Sequence, residues 1–144
     1  PECAISTDII VGFPNESEEQ FQHTLDLVKE CQFDNAFTFI YSPREGTPAA
    51  RMADSVSLEV KQRRLAELNA CWNHYAHVKN EAYLGKVVKV LVDGASKKKA
   101  NVWSGYTETN KLVNFTGEHV TAGDIVKVKI TACKTFSLDG EQIL

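Results

Sequence analysis

Three short segments of this 144-residue chain carry side chains and spacings able to do chemistry. In Tyr41-Ser42-Pro43-Arg44 a guanidinium follows two hydroxyls. An arginine fork can hold a phosphate or carboxylate bidentately, while a phenol can stack or donate a hydrogen bond. The plainer use of Arg44 is a pair with neighbouring Glu45, or a loop cap. Gly12-Phe13-Pro14-Asn15-Glu16 closes an apolar run just ahead of helix-start signals. Glycine there lets backbone or ligand approach closely, and a helix N-terminus favours anions; the alternative is a turn whose side chains touch no ligand. Lys97-Lys98-Lys99 is either a solvated loop or, with Trp103, Tyr106 and Phe115 nearby, the mixture of ammonium groups and rings by which single-stranded RNA is held.

Other chemistries find no support. Cys3, Cys31, Cys71 and Cys133 stand dozens of residues apart, without a CxxC pair or a histidine at ligand spacing, so they read as free thiols and no metal is assigned. His23, His74, His77 and His119 pair with no Ser, Cys or Asp at a telling spacing, and no catalytic residue is assigned. No apolar run approaches the ~20 residues of a membrane span, so no membrane partner is expected. A cytoplasmic location is the default. The first residue is Pro rather than Met, as in a piece of a longer polypeptide.

Charge divides the chain. Residues 1–81 hold 7 Lys+Arg against 13 Asp+Glu, a balance of −6. Residues 82–144 hold 9 against 6, a balance of +3, and all nine cations are Lys. An acidic front and a basic rear suggest two units, with any polyanion binding assigned to the second.

The elements that would position these groups follow from periodicity. Ile5–Val11 is β-branched and nearly continuously apolar, as in strands of a parallel sheet. Ser17-Glu18-Glu19-Gln20 forms a capping box, and Phe21, Leu25 and Val28 form the stripe of a helix ending near Cys31. Ala36–Tyr41 is a second strand, and Ser42–Ser55 a loop. A long helix begins at Ser57, carries Leu58, Leu65, Leu68, Trp72 and Tyr75 as core, and ends by Gly85, with Glu59–Arg63 as an i,i+4 ion pair. The pattern is β–turn–α–β–loop, in which sites form at the C-terminal ends of strands. Beyond Gly85 the period changes to two. Strands are expected at Lys86–Val92, Asn101–Thr107, Lys111–Phe115, Asp124–Thr131 and near Thr135–Leu138. Asp93-Gly94, Thr109-Asn110, Thr116-Gly117 and Ala122-Gly123-Asp124 read as turns between them. Five such strands suggest a small antiparallel OB-like barrel.

The wording of both halves resembles known families. TDIIVGFPNESEE and FTFIYSPREGTPAA are similar to the late barrel strands of MiaB-type tRNA methylthiotransferases, which are radical S-adenosylmethionine enzymes. VLVDGASKKK and SGYTETNKLVNFTG resemble the TRAM domain of RNA-modifying enzymes. The resemblance implies a fold that is α/β followed by all-β: residues 1–81 as the C-terminal part of a (β/α) radical SAM half-barrel with its linker helix, and residues 82–144 as a five-stranded antiparallel TRAM barrel. It places Gly12, Phe13 and Pro14 beside the adenine of S-adenosylmethionine and Asp8 inside the barrel, with Tyr41 and Arg44 on the substrate side. It assigns RNA contacts to Lys97, Lys98, Lys99, Tyr106, Asn110, Asn114 and Phe115. Two departures stand out. Asn15 occupies a position where the family mostly has Gly, although Asn also tolerates left-handed backbone. Tyr106 stands where TRAM domains usually have Arg, which trades a phosphate contact for a ring.

By resemblance, the whole enzyme would insert sulfur and a methyl group at C2 of a prenylated adenosine beside the anticodon of tRNA. It would use S-adenosylmethionine and two [4Fe–4S] clusters, one starting the radical chemistry and the other handling sulfur. No CxxxCxxC triad is present in this sequence, so the chain reads as the back portion of such an enzyme, inactive alone and expected to hold no cofactor itself. It is also expected to self-associate through an open barrel edge. The rivals are a related methylthiotransferase acting on another modified adenosine or a ribosomal protein, and a non-catalytic RNA-binding module.

Overall fold

The computed structural model describes residues 2–144. By its internal packing the chain divides into two units, Ile5–Tyr75 and Ala76–Leu144, with residues 2–4 grouped with the second.

In the first unit, β1 (Ser6–Val11) and β2 (Asn35–Ile40) pair in parallel, joined by α1 (Glu18–Cys31). The capping box forms as the sequence requires: Gln20 N–H donates to Ser17 Oγ (3.1 Å) and Ser17 N–H to Gln20 Oε1 (2.9 Å). Gln32, in left-handed backbone, ends the helix. The loop after β2 contains a 3-10 turn at Ala49–Arg51, and α2 then runs Leu58–Glu81, its first turn capped by Ser57 Oγ. Glu59 is not the partner of Arg63. That guanidinium binds Glu18 of α1 (2.7 Å) and Glu67 one turn on (2.8 Å), because Glu67 shares its helix face and α1 lies alongside.

The period-two pattern of β1 and β2 becomes two unlike faces. Thr7, Ile9 and Val11 lie beside Ala36, Thr38 and Ile40 in register. This face meets α2, where Thr38 Oγ1 donates to Asn69 Oδ1 (2.5 Å) and Trp72 Nε1 donates to the same oxygen (3.1 Å). Val11, Phe21, Leu25, Val28, Ala36, Leu68 and Trp72 are buried. The opposite face pairs Asp8 with Phe37 and Ile10 with Phe39, and it is exposed, both phenylalanines included.

In the second unit, β3 (Val87–Ala95), β4 (Val102–Thr107), β5 (Leu112–Thr116), β6 (Ile125–Cys133) and β7 (Leu138–Ile143) close a barrel in the order β3-β4-β5-β7-β6. It is not wholly antiparallel, since β5 and β7 pair in parallel. Strands of alternating direction cannot close a ring of odd number without one parallel seam. Two boundaries also differ from the sequence expectation. Asp93-Gly94 is not a turn but a bulge inside β3, where the register with β4 slips between Val92 and Gly94. The last strand is Leu138–Ile143; Thr135 and Phe136 lie in the tight turn before it, closed by Lys134 N–H to Ser137 O (2.8 Å).

Inside the barrel, Val90, Val92, Val113, Phe115, Val120, Val128, Ile130 and Leu138 form the core. Gly105 lets β4 cross β3 closely: a Cβ there would lie 2.2 Å from Leu91 O. Asn80, near the end of α2, is buried and ties down the β6–β7 turn by donating to Lys134 O (2.8 Å) and Thr135 O (3.0 Å).

Candidate ligand and nucleic-acid surfaces

The turn after β1 is held from within. Gly12 (φ +74°) and Asn15 (φ 65°) both adopt left-handed backbone, so Asn15 does the work for which Gly would otherwise be needed. Asn15 Nδ2 donates to Ala53 O (2.9 Å), and its Oδ1 accepts from Ser55 N–H (3.1 Å) and Ser55 Oγ (2.8 Å), stapling this turn to the loop after β2. Gly12 N–H donates to Glu16 Oε1 (3.1 Å). Glu16 in turn is held by Arg64, whose Nη1 donates to its main-chain oxygen (2.8 Å) and to Oε1 (2.9 Å). Arg64 is only 4% exposed, reaches Glu18 as well (3.1 Å), and lies over the Phe21 ring at 5.6 Å. Helical periodicity registers apolar spacing and gives no sign that Arg64 is a cation turned inward.

These contacts decide what the turn can offer a ligand. Gly12 and Pro14 are buried, and the Lys61 stem fills the space over Gly12. The Phe13 ring and the Asp8 side chain are exposed. The second turn meets the first. Tyr41 N–H donates to Val11 O (2.8 Å), and the Tyr41 ring lies edge-on to Phe13 with centroids 5.3 Å apart at 66°. Lys61 Nζ stands 6.0 Å over the Tyr41 ring and pairs with Asp54. The Tyr41 hydroxyl is shielded from solvent yet has no hydrogen-bond partner among the described residues. An orphaned hydroxyl of this kind costs free energy until something satisfies it. Arg44 does not pair with Glu45. Its side chain is exposed, and its carbonyl accepts from Thr47 Oγ1 (2.7 Å) to close the loop.

Ion pairs with arginine and lysine shift the acids around this turn. Arg63 first, then Arg64, hold the Glu18 carboxyl below its ordinary range, and Lys61 does the same for Asp54. Burial pushes the Cys71 and Cys133 thiols up, which makes them poor thiolates. Among the described residues no three His, Cys, Asp or Glu side chains converge as a metal site.

On the barrel, Lys97, Lys98 and Lys99 are exposed in the β3–β4 loop, where Ser96 Oγ accepts from Lys98 N–H (3.2 Å). Lys98 and Lys99 line an open groove with Ser96, Asn114, Lys134 and Asp139, so the structure brings Asn114 to the triplet. Lys134 is paired with Asp139 at 2.9 Å. Tyr106 is 42% exposed on the outer face of β4. One of the expected RNA contacts receives another role. Phe115 is 1% exposed within the core, so its ring cannot stack on a base; β5 alternates, and Phe115 takes an inward position beside Val113. Asn110 (φ 58°) makes the β4–β5 turn, its N–H donating to Thr107 O (2.9 Å) beneath a hydroxyl chain of Thr107, Thr109 and Tyr83.

Comparison with known proteins agrees with this geometry. Residues 81–143 match the family model of the TRAM domain. Over 143 residues, 99% of this chain, the sequence is 57% identical to a protein of Bacillus cytotoxicus named tRNA-2-methylthio-N(6)-dimethylallyladenosine synthase. It is 58% identical to the protein of that name from Halalkalibacterium halodurans and 57% to that from Bacillus anthracis, over the same length. The chain spans about 28% of the length of these curated relatives.

Proposed function

Since residues 81–143 form a TRAM domain and the chain is similar from end to end to a stretch of tRNA-2-methylthio-N(6)-dimethylallyladenosine synthases, we propose that it serves as the tRNA-holding and barrel-completing portion of a radical S-adenosylmethionine methylthiotransferase. In this reading residues 1–81 complete a (β/α) barrel and residues 82–144 bind tRNA near the anticodon, in the cytoplasm. The substrate is a prenylated adenosine, methylthiolated at C2.

The observation that carries the site is the meeting of Phe13 and Tyr41 at the C-terminal ends of two parallel strands, the buried Tyr41 hydroxyl having no partner among the described residues. S-adenosylmethionine, when bound, supplies the methyl group and the radical chemistry. The chain's own part is to bind and orient. Phe13 offers its ring face to an adenine, and the Tyr41 hydroxyl, shielded from solvent, offers a donor. Asp8 lies on the sheet face turned away from α2, and Arg44 stands free to hold a phosphate or carboxylate. Gly12 and Pro14 act by shaping the turn. The described residues do not fit a [4Fe–4S] cluster, whose ligands are assigned to other segments of the whole enzyme.

The test uses the longer polypeptide that contains this chain, with clusters reconstituted anaerobically, S-adenosylmethionine, and tRNA bearing the prenylated adenosine. Mass spectrometry of digested tRNA should show the 2-methylthio product, and Arg44→Ala and Phe13→Ala should each lower its yield. Absence of product from every prenylated tRNA, with the clusters intact, overturns the reading.

A further inference from the structure

On the outer surface of the barrel, Lys89 of β3 and Lys127 of β6 occupy opposing positions of an antiparallel pair. Side chains so placed have Cβ atoms about 5 Å apart, and like charges there repel. Neither makes an ion pair among the described residues. Lys134 at the groove, by contrast, has Asp139, and Lys129 faces Glu141 in register.

Two residues further along the same strands, about 7 Å away, the outward row becomes apolar. Ile125, Leu91, Tyr106 and Leu112 follow one another in register across β6, β3, β4 and β5. Ile125 is 69% and Leu91 53% exposed, and the phenol ring of Tyr106 lies open beside them. A repelling lysine pair beside an exposed apolar row brings the barrel no stability. Both become favourable under one kind of occupant: a strand with a negative backbone and flat apolar bases.

We infer that the outer face of β6, β3 and β4 seats a single-stranded RNA segment, one phosphate between Lys89 and Lys127 and the adjoining base on Tyr106 and Leu91. This rests on the tRNA-binding reading above and gives it a surface distinct from the lysine loop. The unit's balance of +3 is the complementary charge.

The experiment uses the 144-residue chain with a fluorescent single-stranded RNA decamer and, as control, a duplex of the same sequence. Lys89→Gln with Lys127→Gln should weaken decamer binding and flatten the log–log salt dependence by about 0.7, the value for one phosphate on a single strand. Its thermal midpoint should not fall, since a repulsion has been removed. Tyr106→Leu should weaken binding about 5- to 150-fold with the salt slope unchanged. Decamer binding unaffected in both variants overturns the inference and leaves the tRNA-binding reading in place. Failure of the unaltered chain to bind decamer, duplex or tRNA overturns both.

Discussion

Arg64 and Glu16 form a buried pair, with Nη1 of Arg64 shared between the Glu16 main-chain oxygen and Oε1 while that same Oε1 accepts the Gly12 N–H. One guanidinium on α2 thereby fixes the turn after β1. Breaking a buried pair on one side leaves an uncompensated charge and costs about 3–5 kcal/mol, whereas neutralising both sides costs far less. Arg64→Ala should lower stability to urea by about that amount. Adding Glu16→Gln, which keeps an acceptor for Gly12, should recover much of the loss. Equal losses in the single and double variants would refute the pairing as the cause.

Acid should loosen the first unit. Glu18 and Asp54 are both held below their ordinary values of 4.5 and 3.8 by Arg63 and Lys61. A depressed carboxyl stabilises the fold above its unfolded value and loses that contribution as pH falls through the folded one. Unfolding midpoints followed downward from pH 5 should therefore drop below about pH 4. Glu18→Gln with Asp54→Asn should make the decline shallower, and an unchanged decline would point to other carboxylates.

How far the sequence could be read depended on whether a signal was local. The Ser17–Gln20 capping box and the alternation of Val126, Val128 and Ile130 lie within a few residues, and both appear in the fold. Asp93-Gly94 is equally local, but a turn and a bulge use the same residues, and only the partner strand decides between them. Phe115 looked like a stacking ring because spacing gave no inward direction until β5 was in register. Arg64 and the Lys89–Lys127 pair were illegible for one reason: their meaning comes from partners 48 and 38 residues away.

Phe115 should behave as core. Phe115→Ala should destabilise the barrel by about 3–5 kcal/mol, read by chemical denaturation of the chain. Tyr106→Ala, on the surface, should cost little stability. A folded Phe115→Ala chain of unaltered midpoint would contradict the burial seen here.

The Lys97–Lys99 loop should act through charge alone. Replacing all three by Ala is expected to weaken tRNA binding and lower the log–log salt slope by roughly 2–3 units, with the thermal midpoint unchanged. A preserved slope in the folded variant would make the loop a solvated one.

The exposed face bearing Ile10, Phe37 and Phe39 should make this chain self-associate as concentration rises. Sedimentation velocity should show the average mass climbing, and Phe37→Lys with Phe39→Lys should return it to monomer. Residues 82–144 alone should remain monomeric. A single monomeric species at high concentration would count against an open sheet face in solution.

The parallel seam between β5 and β7 sets a schedule for the barrel. Val113 and Leu138 become neighbours only across 24 intervening residues, after β6 has doubled back along β3. The seam thus waits on the final strand, although the β3–β6 ladder joins residues farther apart in the chain. Until Leu138–Ile143 emerges from the ribosome, β5 and β6 each keep an unpaired edge. The nascent barrel is therefore most vulnerable to mispairing during the synthesis of its final strand.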